Sequence, residues 1–211
     1  MRAIKKGVEP KLFTNWKALA NDDWIPTYSD LSGNEKKAVK DALIKEQGGI
    51  CCYCERRLVE TDSHIEHCKP QESDDVDPLD FSNMICSCLN NIKKGAPSHC
   101  GDLKGNWYDD QLFVSPLNPD CEGRFSFGAN GSIDPTNPSD RAANETITRL
   151  GLGIPKFNAL REKALEPFLD EDLSPDDLAG FVSGYLARGE DGTLSEFVSA
   201  VESVFSEWVA A

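Results

Sequence analysis

Cys51-Cys52-Tyr53-Cys54, His64-Ile65-Glu66-His67-Cys68-Lys69-Pro70, Asn83-Met84-Ile85-Cys86-Ser87-Cys88 and His99-Cys100-Gly101-Asp102-Leu103-Lys104 are four short runs within residues 51–104. Seven of the eight cysteines and all three histidines fall inside that stretch. Cys51 and Cys54 have the spacing of a knuckle, from which two thiolates reach one metal out of a tight turn. A second pair must come from elsewhere in the fold, and Cys88 and Cys100 are the best-placed candidates. Four sulfurs around one ion suit a closed, structural Zn²⁺ site. Cys52, Cys68, Cys86 and Cys121 then read as small buried hydrophobes, the usual fate of free cysteine.

The second run carries different chemistry. In a strand leaving the knuckle, Glu66 and His67 point to opposite sides of the backbone. Glu66 is suited to hold a Mg²⁺-like ion through oxygen while His67 stays free as a base. Hydrolysis of a phosphodiester needs that division, a base to deprotonate water and a cation to stabilise charge on phosphate. Asn83 is a candidate to orient the His67 imidazole through a hydrogen bond.

Outward from this stretch, Ser32 and Glu35 match a capping box, and a helix is expected to about Glu46, ended by Gly48-Gly49. A short helix near Leu12–Leu19 precedes it. Residues 71–80 form an acidic loop. Leu112–Ser115 and Arg124–Phe127 read as short strands, with Gly128–Gly131 turning the chain back into Ser132–Asp134. Four helical patterns follow, at about 140–150, 156–168, 174–188 and 193–209, with Ser174/Asp177 and Thr193/Glu196 as caps for the last two. The aromatic faces of those last two helices read either as the protein's own core or as a docking surface for a partner. The chain divides into an arm and helix (1–50), a metal-organised core (51–110) and a hairpin with a helical region (111–211).

The 211 residues carry 22 Lys/Arg against 36 Asp/Glu, a net charge of −14. Proteins that coat bare nucleic acid usually show a basic footprint, so a stand-alone toxin-like nuclease is disfavoured. If the chain handles nucleic acid, something else has to help hold it. No apolar run is long enough for a membrane span, and no apolar segment follows the charged start Met1-Arg2-Ala3-Ile4-Lys5-Lys6-Gly7. A reducing cytoplasm is expected, where clustered cysteines bind metal rather than form disulfides.

The order CxxC, Glu-His-x-x-Pro, Asn-x-x-x-x-Cys and Cys-x-x-x-Lys resembles the HNH endonucleases. Residues 1–7, 47–55, 64–67, 99–101 and 113–117 with Asp120-Cys121 more narrowly resemble the HNH subunit of Septu anti-phage systems, also found beside retrons. The resemblance runs from Met1 to about Arg161. It implies an α+β fold in which a ββα-metal finger with structural zinc is embedded in a mostly helical protein. It also implies His67 as general base, Glu66 as ligand of a catalytic Mg²⁺ or Mn²⁺, and Asn83 as the family's middle residue. The third member departs from the pattern, because the position just after the last cysteine is Gly101. His99 is the favoured replacement as second ligand, with Asp102 close behind, Asn91 in the inserted loop, and His64 an additional ligand or supporting group. Lys104, Arg56 and Arg57 are candidate phosphate contacts. The implied partners are an ABC-type ATPase subunit, a nucleic-acid substrate (DNA first, tRNA as the alternative) and, beside retrons, a reverse transcriptase with its DNA–RNA product. A zinc-stabilised adaptor with an inactive site is the rival reading, and Gly101 is its support.

Overall fold

The computed structural model describes residues 1–89, 95 and 97–209; Asn91, one of the candidate third residues, lies outside the described residues. Helix α1 (Lys11–Lys17) and helix α2 (Gly33–Glu46) precede an antiparallel pair, β1 (Ser63–His67) and β2 (Met84–Cys88). The register sets His64 opposite Ser87, Ile65 opposite Cys86 and Glu66 opposite Ile85. A short helix, α3 (Cys100–Lys104), follows and packs on β2, as does α2. Beyond it come the hairpin β3 (Phe125–Phe127) and β4 (Ile133–Pro135), then α4 (Arg141–Arg149), α5 (Pro155–Leu165), α6 (Pro175–Leu186), α7 (Val198–Val204) and α8 (Ser206–Val209). No described helix is long and apolar enough to cross a membrane.

Helix α2 buries Val39 and Leu43 and ends at Gly48 and Gly49, both at positive φ, where glycine avoids the Cβ penalty. Ser32 sits at its N-cap, but its side chain makes no capping bond. Gln47, just past the helix, is buried and works like a strand edge. Its amide donates to Ile50 O and Cys86 O, both at 2.9 Å, and accepts from Cys86 N at 2.6 Å. One side chain therefore ties the end of α2, the knuckle and β2 together. The core around this joint is built from Phe13, Leu43, Tyr53, Met84, Ile85 and Phe157.

Two expected elements differ. Residues 112–115 form no strand, because α4 supplies the bond a neighbouring strand would have made: Thr146 Oγ1 accepts from Val114 N at 2.8 Å. The last long helix starts at Val198 rather than near 193, and it breaks at Phe205. Residues 193–197 dock on the knuckle instead, with Leu194 N donating to Gly48 O (2.8 Å) and Phe197 N to Glu55 O (3.2 Å). Thr193 is engaged with Asp191, and Glu196 accepts from Arg57 N, so neither caps a helix. Buried Glu55 then grips Ser199, which donates to it through both N and Oγ.

This docking also answers the question about the aromatic faces. Phe205 and Phe168 are buried in a satellite core with Leu165, Val182 and Val201. Phe197 is buried, and Tyr185 donates its hydroxyl to Glu196 O. Of the aromatic residues expected on those faces, Phe181, Tyr185, Phe197, Phe205 and Trp208, Phe181 alone is strongly exposed, at 56%. The tail closes the protein's own core.

Candidate active site

The turn after α2 presents Cys51 and Cys54. Its geometry is held by Cys51 N bonding Arg56 O and by Glu55 at φ 61°. Cys88 ends β2, and Cys100 opens α3 at φ 55°, its N–H donating to Leu150 O at 2.8 Å. The four sulfurs lie within 4.8 Å of one another, all buried, with Cys54 and Cys88 3.6 Å apart. Four thiolates at about 2.3 Å from one zinc would be about 3.8 Å apart, so the set fits that ion. The electrostatics agree. Burial opposes ionisation throughout; hydrogen bonds from the neighbouring thiols nonetheless hold Cys51 well below its ordinary value, while burial drives Cys54 and Cys100 well above theirs. A divalent cation would supply the positive charge that lets the remaining thiols ionise. Cys52, Cys68, Cys86 and Cys121 are buried thiols outside the cluster.

On β1, His64 and Glu66 are two residues apart and share one face. Glu66 Oε1 is held from two directions, by Lys104 Nζ at 3.0 Å and by the Tyr53 hydroxyl at 3.2 Å. Oε2 faces His64 Nε2 at 3.5 Å. Burial works against the charged carboxylate, but the His64 hydrogen bond and the Lys104 charge outweigh it and hold Glu66 below the usual carboxylate value. Glu66 is therefore ionised at neutral pH, with one oxygen committed and one available.

His67 points elsewhere. Its Nε2 lies 2.9 Å from Pro78 O, and Tyr28 packs its ring edge-on at 4.7 Å. A carbonyl oxygen can only accept, so Nε2 carries the proton and Nδ1 keeps the lone pair. Burial pushes the imidazole below its ordinary value, against the opposing pull of Pro78 O and Glu66. Glu66 and His67 both open onto a cleft of about 190 Å³, together with Tyr28, Pro70, Gln71 and Asn106. Burial, with the Glu66 charge adding, pushes the Tyr28 phenol up to about 12, so it stays protonated there.

Several expected roles are corrected by this geometry. Asn83 does not reach the imidazole; it bonds the backbone of Lys69 in both directions, Oδ1 accepting from N (2.9 Å) and Nδ2 donating to O (2.8 Å). It staples the chain leaving β1, and the acidic loop's Pro78 carbonyl orients His67 instead. His99 stands on the thiol side, fully buried, with Nδ1 3.4 Å from Cys100 Sγ and its ring on Phe157 at 4.6 Å. Asp102 is exposed on the outer side of α3 and bonds Ser98. Lys104 is buried, not a surface phosphate contact, because Glu66 and the His67 carbonyl (3.1 Å) take its ammonium. The Arg57 guanidinium is committed to Gly48 O, Gly49 O and Leu194 O, where it ties the tail to the knuckle. Arg56 is half-buried beside the knuckle. The sequence reading missed Tyr53, Tyr28, Gln47 and Pro78; of these, only Tyr53 had a signal, its place inside the CxxC run.

The chain is 32% identical over 151 residues to a protein named "Retron Vc95 putative HNH endonuclease" from Vibrio cholerae serotype O1 biovar El Tor. The alignment covers 66% of this chain and 71% of that relative. The chain belongs to the HNH endonuclease family. No family model matches it. As an HNH endonuclease it is a phosphodiester hydrolase. HNH enzymes are metal-dependent, and Glu66 is the carboxylate lining the cleft described above that could hold such an ion.

Proposed function

We propose that this HNH endonuclease cuts DNA, using Glu66 to hold a divalent cation and His67 as general base, in a ββα-metal finger built from β1, β2 and α3 and stapled by a Cys51–Cys54–Cys88–Cys100 zinc. The carrying observation is that Glu66 and His67 line one cleft, Glu66 as a carboxylate beside Lys104 and His67 kept neutral by burial, with Nε2 bonded to Pro78 O so that Nδ1 carries the lone pair. His67 Nδ1 takes the proton from the attacking water. Lys104 and Tyr53 hold Glu66 Oε1, which leaves Oε2 as the oxygen free to take the cation. A bound Mg²⁺ or Mn²⁺ would supply charge stabilisation at the scissile phosphate and the leaving oxygen. Asn83 keeps Lys69 and Pro70 in place beside the cleft, as a positioning residue.

The relative's name favours a retron setting; the Septu resemblance adds a bacterial defence role in the cytoplasm, beside an ABC-type ATPase and, in a retron setting, a reverse transcriptase with its DNA–RNA product. The charge of −14 favours a complex in which a partner supplies part of the grip on nucleic acid. The test is incubation of the zinc-loaded protein, with and without the ATPase, with plasmid DNA and with tRNA, in Mg²⁺ or Mn²⁺. DNA should be cut, and His67→Ala should lower the rate about 10² to 10⁴-fold with zinc content unchanged. Undiminished cutting by His67→Ala would remove it as the base, and cutting of tRNA alone would reassign the substrate.

A further inference from the structure

We infer that His64 has taken over the role of the helix histidine that HNH motifs place just after the last cysteine, and that Gly101 is glycine because the His64 ring and Glu66 fill its side-chain space. This rests on the HNH reading above. Gly101 lies within α3 and is absent from the residues with positive φ, so backbone freedom does not explain it. Space does. A Cβ built there would stand 2.6 Å from Glu66 Oε2 and 2.8 Å from His64 Nε2. Residue 101 therefore points at the oxygen that faces the cleft, and His64 reaches the same point from the strand.

The position is held by local bonding. His64 pairs across the hairpin with Ser87, and the Ser87 hydroxyl accepts from Gly101 N at 3.1 Å, which clamps the helix start over the strand. His64 Nδ1 is buried without a hydrogen-bond partner among the described residues, so no competing bond turns the ring away from Glu66. The rival ligands face elsewhere, His99 to the thiols and Asp102 to Ser98. Two ligands at about 2.1 Å from one ion are about 3.0 Å apart at a right angle and about 3.4 Å apart at a tetrahedral angle. The observed 3.5 Å between Nε2 and Oε2 fits a shared cation with little movement.

Both side chains come from β1, so α3 gives the zinc cluster a cysteine and the catalytic cation none. An imidazole beside a carboxylate also has a metal preference: Mn²⁺ and later first-row ions over Mg²⁺ or Ca²⁺. The experiment is Mn²⁺ titration of the full-length, zinc-loaded protein, followed by electron paramagnetic resonance of free Mn²⁺, with zinc content and circular dichroism as the checks on folding. Wild type should bind Mn²⁺ more tightly than Mg²⁺. His64→Ala should weaken Mn²⁺ at least about 10-fold at full zinc, whereas His67→Ala should bind Mn²⁺ normally and fail to cut. Gly101→Ala should also weaken Mn²⁺, because its Cβ meets both Glu66 Oε2 and the His64 ring. The double variant His64→Ala/Gly101→His, which moves the imidazole back to the helix, should recover part of the binding. Equal Mn²⁺ affinity in wild type and His64→Ala would overturn the inference and leave the HNH reading standing. No Mn²⁺ or Mg²⁺ binding by the wild type, with no cutting, would overturn both.

Discussion

Replacing Lys104 by methionine should destabilise the protein severely, although a lysine four positions past Cys100 reads as a surface base. Its side chain is 1% exposed and that of its partner Glu66 is 10% exposed, with Nζ and Oε1 3.0 Å apart. At an effective dielectric of about 20, such a pair gains roughly 5 kcal/mol of Coulomb attraction, most of which offsets desolvation. Methionine keeps the volume but leaves the Glu66 carboxylate facing Tyr53 and His64 without its cation. It also leaves the His67 carbonyl, 3.1 Å from Nζ, without that donor. Breaking a buried pair this way costs about 3–5 kcal/mol, a large share of the roughly 5–15 kcal/mol that stabilises a domain. Urea unfolding of the zinc-loaded protein measures the loss from the midpoint at unchanged slope. Adding Glu66→Gln should return at least half of it, because the orphaned charge is then gone. A Lys104→Met protein within about 1 kcal/mol of wild type, or a double variant weaker than the single, would refute the buried-pair argument.

Other outcomes follow from the same geometry. The purified protein should carry about one zinc, and Cys88→Ser should lose it with the fold of the hairpin, which metal analysis and circular dichroism would read together. A chain cut after about residue 172 should lose solubility and zinc retention, since it forfeits the Leu194–Gly48 and Phe197–Glu55 bonds and the Ser199 grip on Glu55; a soluble, zinc-loaded fragment would contradict that. Asp140→Ala removes the cap that accepts from Ala143 N at 3.0 Å and the partner of Arg124, at a cost of about 1–2 kcal/mol near neutral pH. The hydrogen bond from Arg124 holds the Asp140 carboxyl below its ordinary value of 3.8, so its contribution is complete above that value and is lost as the pH falls through the folded value. The gap between wild type and Asp140→Ala, followed by urea unfolding, should therefore narrow on acidification below about pH 3.8.

Elements set by neighbours in the chain were legible. Helix α2 ends at its glycine pair, the turn at 128–131 joins β3 to β4, and Ser174 caps α6 through Asp177. The failures share a cause, a distant group competing for the same backbone. Thr146 replaced a strand partner for Val114, and the knuckle's Gly48 and Glu55 took the residues that would have begun a helix at 193. Neither competitor leaves a periodic trace in the sequence.

In the site, local spacing determined what local geometry can decide: two thiols in one turn, and a carboxylate and an imidazole leaving adjacent strand positions on opposite sides. The identity of the four-sulfur set was also readable, because so few cysteines could close it. What each histidine does was not. His64 and His99 look equivalent in one dimension, yet β1 carries the first to Glu66 and the N-terminus of α3 turns the second onto the thiols and Phe157. Lys104 and Arg57 likewise read as solvated charges until packing buries one against Glu66 and ties the other to backbone carbonyls of the knuckle and tail. A side chain's type is written at its own position, but its partner is supplied by whichever segment tertiary packing brings within about 3 Å of it.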